Sequence, residues 1–278
     1  MTTLLIPPIL RIANQKRLFD LPDHRKTHLT PTPALGGVGF FISFWLVIIC
    51  LADFNFLSDI RFVLVAATLL FLVGVQDDLV GVDFSVKFVW QAFAAVMLFL
   101  SGFQMEGFYG VFGWGDLPTW GAFIMTLLTV VYLINAYNLI DGVNGLAGSL
   151  GVVGSAGFGA LFWWNGEPEW SFMAMTMTGV LLGFLKYNYG KAKIFMGDNG
   201  SMFLGLMMSV FFIHYLNSAP AAGAVPPLLW ALALVLVPAF DLLRVFAFRL
   251  LKRQSPFSAD RTHIHHLLQA LGKSHVWV

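Results

Sequence analysis

The sequence is short of cysteine and of charge, and each shortage excludes a class of function. Cys50 is the single cysteine and sits inside an apolar run. No intrachain disulfide and no thiolate metal cluster can be built from it, which leaves a packing role. Charged residues make up 11% of the chain against 58% hydrophobic, far below the roughly 25% charged composition of ordinary soluble domains. Lys and Arg nearly balance Asp and Glu, for a net charge of +1. No basic block is flanked by aromatics, so the chain has no footprint for nucleic acid. Long polar stretches are also scarce, the main ones being 11–33 and 252–266. With no repeat, low-complexity segment or soluble domain between the apolar runs, residues 1–278 are read as one integral membrane domain. The first ten residues contain Pro7 and Pro8. They are too short to span and lack the basic-then-apolar order of a signal peptide, so they are read as the stub of another span.

What fills the chain is apolar. A helix needs about 20 apolar residues to cross a bilayer core, and eight such runs are present, near 35–52, 60–75, 84–103, 118–137, 144–164, 170–185, 200–216 and 225–250. Backbone groups in lipid must be satisfied within the segment, and the alternating pattern of a membrane barrel is missing, so the runs are helices. The expected fold is an all-α, polytopic membrane bundle of about eight transmembrane helices.

Taking the loops in alternation gives one side Arg11, Lys16, Arg17, Arg25, Lys26, Lys87, Lys186, Lys191, Lys193, Arg249, Lys252, Arg253, Arg261 and Lys273. The other side keeps Arg61. A Lys/Arg excess marks the cytoplasmic side. The opposite loops carry Asp53, Asp59, Glu106, Asp116, Glu167 and Glu169, for which a solvated-loop role suffices. The alternation is chosen without regard to motifs, yet it gathers every unusual polar cluster on the cytoplasmic face. Single carboxylates at helix ends are often interfacial decoration; four clusters on one face point to an active site.

Asp77 and Asp78 close the second run as adjacent carboxylates, whose repulsion raises one proton affinity or invites a cation. Asn135, Asn138, Asp141 and Asn144 follow at helical spacing before Gly145; capping accounts for one or two of these groups but not four. Gly197 and Gly200 flank Asp198 at the start of a run, where free backbone N–H groups suit phosphate oxygens. Asp198 is the leading metal-ligand candidate, because Mg²⁺ takes one or two carboxylates together with waters and substrate phosphates. Arg261, His263, His265 and His266 follow the last run and can neutralise a diphosphate. Zinc is the rival for these histidines, without cysteines or a His-Glu-x-x-His pattern to support it. Arg25, Lys26 and His28, ahead of Pro33, Gly36 and Gly37, add a basic patch that serves either substrate or topology. Asp241 and Arg244, at i and i+3, form a candidate structural ion pair, and Pro238 is expected to kink that helix.

In this order, Arg25-Lys26-x-His28 with Pro33-x-Leu35-Gly36-Gly37, Asp77-Asp78, Asn135-x-x-Asn138-x-x-Asp141-Gly142-x-x-Gly145-Leu146, Phe195-Met196-Gly197-Asp198-x-Gly200-Ser201 and Asp260-Arg261-x-His263-Ile264-His265-His266 resemble one family. It is the polyprenyl-phosphate N-acetylhexosamine-1-phosphate transferases, related to phospho-MurNAc-pentapeptide transferase. The resemblance runs from about Arg25 to His266. It implies transfer of a phospho-N-acetylhexosamine, with GlcNAc-1-phosphate as first choice, from a UDP-sugar to undecaprenyl phosphate with release of UMP, starting a cell-envelope polysaccharide such as O-antigen. It also implies a bacterial inner membrane setting, a site facing the cytoplasm, Mg²⁺ with Mn²⁺ as substitute, and a homodimer as one allowed assembly. By the same resemblance Asp198 holds the metal with Asn138 as partner, Asp77 is the base toward the lipid phosphate and Asp78 supports it. Phe195 stacks on uracil, and Asp141 with Asn135 and Asn144 holds the nucleotide. His263, His265 and His266 face the diphosphate, His265 among the catalytic groups, and Lys26, His28 and Arg261 bind substrate. The chain departs from the pattern at Asn144, where an aspartate is frequent in relatives, and in having a stub in place of a full first span and no span after the histidines.

A membrane transporter is the competing class, together with a shortened homologue of impaired activity. Transport predicts polar groups at mid-span on several helices, whereas the middles of these runs are almost entirely Leu, Val, Phe, Ala and Gly. An intramembrane aspartyl protease built on Asp141 and Asp198 lacks the Gly-x-Gly-Asp signature, since Phe195 and Met196 precede Gly197.

Overall fold

Each of the eight apolar runs forms a helix in the computed structural model, which describes residues 1–18, 31–109, 111, 115–219 and 226–252. The helices are α1 (Thr2–Lys16), α2 (Gly36–Leu51), α3 (Phe54–Asp59), α4 (Arg61–Val80), α5 (Phe84–Leu100), α6 (Thr119–Ile140), α7 (Leu146–Trp164), α8 (Pro168–Asn188), α9 (Gly197–Ser218) and α10 (Pro227–Leu251). No strand occurs among the described residues. The all-α, multi-pass expectation holds. Helices α4, α6, α7, α9 and α10 are long and apolar enough to cross a membrane, and α2 and α5 are shorter apolar helices. Prolines start three of the long helices, Pro118 just before α6, Pro168 in the first turn of α8 and Pro227 in that of α10. There a missing N–H costs nothing and the fixed φ suits a first turn.

Between Met202 and Ile213 helix α9 carries no charged or amide side chain on any side, so this stretch has no polar face to give to solvent. It is the axis of the bundle. Of its membrane-length stretch 94% is buried, against 33–44% for α4, α6, α7 and α10, and α2, α4, α6, α7 and α10 all pack against it. Lipid tails are as apolar as leucine, so close packing holds such helices together more than expulsion of water does. Phe203 supplies much of that packing. Its ring meets Phe40, Phe41, Phe44 and Trp45 of α2, with centroids 5.0–6.5 Å apart. Each such aromatic pair contributes about 0.5–1.5 kcal/mol beyond its buried area. Outside this shell, α5 packs on α4 and α6, and α8 packs on α7, α2 and α1. Phe88, Val89 and Phe93 of α5 and Leu232, Leu236, Phe240 and Leu243 of α10 stay exposed, where a bilayer would cover them.

The N-terminal stretch is a helix of 15 residues despite Pro7 and Pro8. A proline removes the donor that would serve the carbonyl four residues back, and Pro7 leaves the Thr3 carbonyl in that state. Tyr187 Oη of α8 donates to that carbonyl at 3.0 Å, and buried Ile6 and Ala13 fix the rest of the helix to the bundle.

One end of the bundle collects the start of α2, the end of α4, the starts of α5, α7 and α9 and the ends of α6 and α8. The opposite end is held by its own pair. His214 Nε2 meets Glu167 Oε2 at 2.9 Å beneath the Trp170 ring, which stacks on the imidazole at 3.7 Å. This corrects the solvated-loop expectation for Glu167. Its partner lies 47 residues away on α9, beyond any local pattern. The Asp241–Arg244 pair forms as expected at 2.9 Å.

Candidate active site

The polar end is built around the entry into α9. Phe195 donates its N–H to Pro33 O at 2.8 Å and accepts from Gly36 N at 2.9 Å, and Gly37 N donates to Met196 O at 2.9 Å. The Pro33–Gly37 segment is thereby zipped to the segment that leads into α9. Gly197 then turns the chain with φ +75°, in the left-handed region that favours glycine. A Cβ there would also meet Ala34 O and, at 2.7 Å, Asp78 Oδ2.

The first N–H groups of α9 have no carbonyls behind them, and carboxylates from other helices take them. Asp78 accepts from Asp198 N at 2.9 Å, from Asn199 N at 3.0 Å and from the Asn199 side-chain amide. The Gly197 N–H donates to Asp141 at the end of α6. These donors are therefore not free for phosphate, which corrects the sequence-based expectation; acidic side chains from α4 and α6 occupy the positive end of the α9 dipole. Asp78 has the contacts of a clamp between α4 and α9. Burial, with Asp198 and Asp78 close by, holds the Asp141 carboxyl well above the usual carboxylate range, and the Gly197 N–H opposes that rise.

Asp77, the neighbour of Asp78, points elsewhere. Its Oδ1 accepts from Val82 N at 2.7 Å, which fixes the turn after α4, and its Oδ2 accepts from Lys87 Nζ at 3.0 Å. The same Nζ donates to Asp198 Oδ2 at 2.8 Å. Two carboxylates from α4 and α9 thus converge on one ammonium from α5, and all three side chains keep some exposure, 16% for Asp77, 19% for Lys87 and 25% for Asp198. Asn138 donates to Ser201 Oγ at 2.8 Å and to Asp198, which links the end of α6 to the same point. Among the described residues no group of three or more His, Cys, Asp or Glu is arranged around a metal position. With Asp198 as carboxylate and the Asn138 amide beside it, the donor set fits a hard divalent cation that takes its other ligands from water and phosphate. The point where such charge is wanted is marked by the Lys87 ammonium.

The remaining candidates divide by location. Asn135 donates to Gln91 Oε1 at 2.7 Å and to Val131 O at 2.8 Å. Asn144 donates to Gly190 O at 2.8 Å, while Gly145 N donates to Asn188 Oδ1 at 2.7 Å, so both tie the loop after α6 to the end of α8. Phe195 is half-buried beside the Pro33–Gly36 segment. Lys26, His28, Arg261, His263, His265 and His266 lie outside the described residues.

Two members of the centre went unassigned in the sequence. Lys87 counted only as a topology charge, although a lone lysine near the start of an apolar run is a visible signal. Ser201 stood in the quoted motif without a role; its placement against Asn138 depends on how α6 crosses α9.

Known proteins are similar to this chain in sequence. The profile of glycosyl transferase family 4 matches residues 60–216. The chain is 34% identical over 99% of its length to the probable undecaprenyl-phosphate N-acetylglucosaminyl 1-phosphate transferase of Bacillus subtilis (strain 168), covering 76% of that protein. It is 31% identical over 95% of its length to the decaprenyl-phosphate N-acetylglucosaminephosphotransferase of Mycobacterium leprae (strain TN), covering 73% of it. It is 29% identical over 98% of its length to the undecaprenyl-phosphate alpha-N-acetylglucosaminyl 1-phosphate transferase of Escherichia coli (strain K12), covering 74% of it.

Proposed function

This chain belongs to glycosyl transferase family 4, and from that premise we propose that it transfers GlcNAc-1-phosphate from UDP-GlcNAc to undecaprenyl phosphate at the cytoplasmic face of a bacterial inner membrane. The names of its relatives support the acceptor and the transferred group. The observation that carries the chemistry is the convergence of Asp77 and Asp198 on the single Lys87 ammonium, with Asn138 beside them.

In the proposed reaction an oxygen of the lipid phosphate attacks the sugar-linked phosphorus of the donor. The bond from that phosphorus to the bridging oxygen breaks, and the bridging oxygen leaves on UMP. The product is a polyprenyl diphosphate sugar. Asp77, at the open edge of the site, takes the proton from a lipid phosphate that arrives singly ionised. Lys87 offers its ammonium to the phosphate oxygens as negative charge moves toward the leaving group. Asp198, steadied by Asn138, is the carboxylate that would hold Mg²⁺, with Asn138 Oδ1 as a neutral partner. The ion, when bound, neutralises phosphate charge. Asp78 and Asp141 keep the start of α9 in place so that Asp198 meets Lys87.

The test is product analysis. Membranes containing the protein, given UDP-GlcNAc and undecaprenyl phosphate, are expected to release UMP and to form a lipid diphosphate sugar that reverts when UMP is added. UDP as the stoichiometric product would refute the proposal even if sugar reached the lipid.

A further inference from the structure

Gln91 lies one helical turn beyond Lys87 on the same side of α5 and is 3% exposed. A carboxamide buried in a membrane helix is costly unless it is bonded. Gln91 Oε1 accepts from Asn135 Nδ2 at 2.7 Å, and the same Nδ2 donates to Val131 O at 2.8 Å. An amide nitrogen has two hydrogens, so both are spent away from the site. The sense of the amide is fixed by both acceptors together, because turning it over would set Oδ1 against Gln91 Oε1 and the Val131 carbonyl.

What Asn135 has left is its carbonyl oxygen. That oxygen is not among the buried polar atoms without a partner, and Asn135 lies three residues before Asn138 on the same side of α6, next to the carboxylate centre. A carbonyl oxygen accepts from O–H or N–H and repels phosphate oxygens. The two substrates of the proposed reaction differ in this respect. A singly ionised lipid phosphate brings acceptors and one O–H, which the proposed reaction gives to Asp77, whereas a UDP-N-acetylhexosamine brings several hydroxyls and an acetamido N–H.

Resting on the proposed function, we infer that Gln91 is a positioning residue: it locks the Asn135 carboxamide with its oxygen outward, making a subsite for a hydrogen-bond donor on the sugar nucleotide. Gln91 itself does not touch substrate. Replacing it with leucine leaves the Val131 carbonyl as the one acceptor holding the Asn135 amide and places its oxygen less firmly, whereas glutamate keeps an acceptor oxygen at the same place.

The experiment compares wild type, Gln91→Leu and Gln91→Glu in detergent or nanodiscs, with KM measured separately for UDP-GlcNAc and undecaprenyl phosphate. Binding of UDP-GlcNAc without acceptor is measured by calorimetry. The expected result is a rise of about tenfold in donor KM and Kd for Gln91→Leu, the loss of about one hydrogen bond, with acceptor KM unchanged and Gln91→Glu near wild type. An unchanged donor affinity in Gln91→Leu overturns the inference. So does an equal rise in both KM values, or a Gln91→Glu protein as impaired as Gln91→Leu, since each marks a merely structural role. A wild-type protein that binds UDP-GlcNAc without transferring it would sink the proposed function, and the ratio of binding constants would still decide the role of Gln91.

Discussion

Asp78 on α4 grips Asn199 on α9 twice, accepting the Asn199 backbone N–H at 3.0 Å and its side-chain amide, and the Asp198 N–H at 2.9 Å completes the grip. One turn earlier on α4, Gly74 makes this possible. A Cβ there would lie 2.5 Å from Asn199 N, so a larger residue would push α4 off the start of α9. Asp78→Ala leaves two buried N–H groups without acceptors, at about 1–3 kcal/mol each. The expected outcome is a clear fall in the thermal unfolding midpoint in detergent, together with lost turnover. Asp78→Asn keeps an acceptor oxygen and is expected to retain more of both. Loss of activity in Asp78→Ala with an unchanged midpoint would contradict the clamp and favour direct chemistry.

Asp77 and Lys87 predict the reverse pattern. Both keep some exposure and sit at the mouth of the site, so their replacement disturbs chemistry more than folding. Lys87→Met removes the charge shared by Asp77 and Asp198 and is expected to lower kcat/KM by roughly 10²-fold, with an unfolding midpoint near wild type. Asp77→Asn is expected to lower kcat with little change in KM for the donor, because a base acts in the transition state. Steady-state kinetics on both variants checks this, and a change confined to KM for Asp77→Asn would rule out the base.

Asp198 separates the metal from the rest of the site. Asp198→Asn keeps shape and hydrogen bonding but removes one charge, so the protein should still insert into membranes. Its Mg²⁺ requirement is expected to rise about 10- to 100-fold, with sharply reduced turnover at ordinary Mg²⁺. Titrating Mg²⁺ against activity decides the matter: an unchanged midpoint and near-normal turnover would remove Asp198 from the metal site.

The helices were legible because the apolar runs are long and nearly free of charge, five of them in helices of membrane-crossing length, and the carboxylates stood out because charge is so rare in such runs. The division of labour between Asp77 and Asp78 was not legible. Adjacent residues on a helix point about 100° apart, and only the approach of α9 at Gly74 turns Asp78 inward as a clamp and leaves Asp77 with Lys87. The Asn144–Gly190 bond, too, depends on a loop closure 46 residues long that no local pattern reports. The Glu167–His214 pair at the far end joins two helices whose register is set by packing, so neither residue advertised the other.

Orientation is the last expectation to test. The end that carries Asp77, Asp198 and Lys87 also carries Lys16, Arg17, Lys186, Lys191 and Lys193, whereas the opposite end carries Asp53, Asp59, Glu106, Asp116, Glu167 and Glu169 beside Arg61. Exposed Trp120, Trp163 and Trp164 lie at that opposite end, where an interfacial aromatic belt belongs. Lysine and arginine are retained on the cytoplasmic side, which is the basis for proposing that the site faces it. Asn199 is buried and so makes a poor reporter, but Lys191 and Gly166 are exposed at opposite ends. In a Cys50→Ser background, which removes the one natural thiol, a cysteine at 191 is expected to react only with reagents that enter the cell. A cysteine at 166 is expected to react with impermeant reagents from outside. Reversed labelling would put the carboxylate centre on the outer face, away from a cytoplasmic pool of nucleotide sugar, and would remove the donor on which the proposed reaction depends.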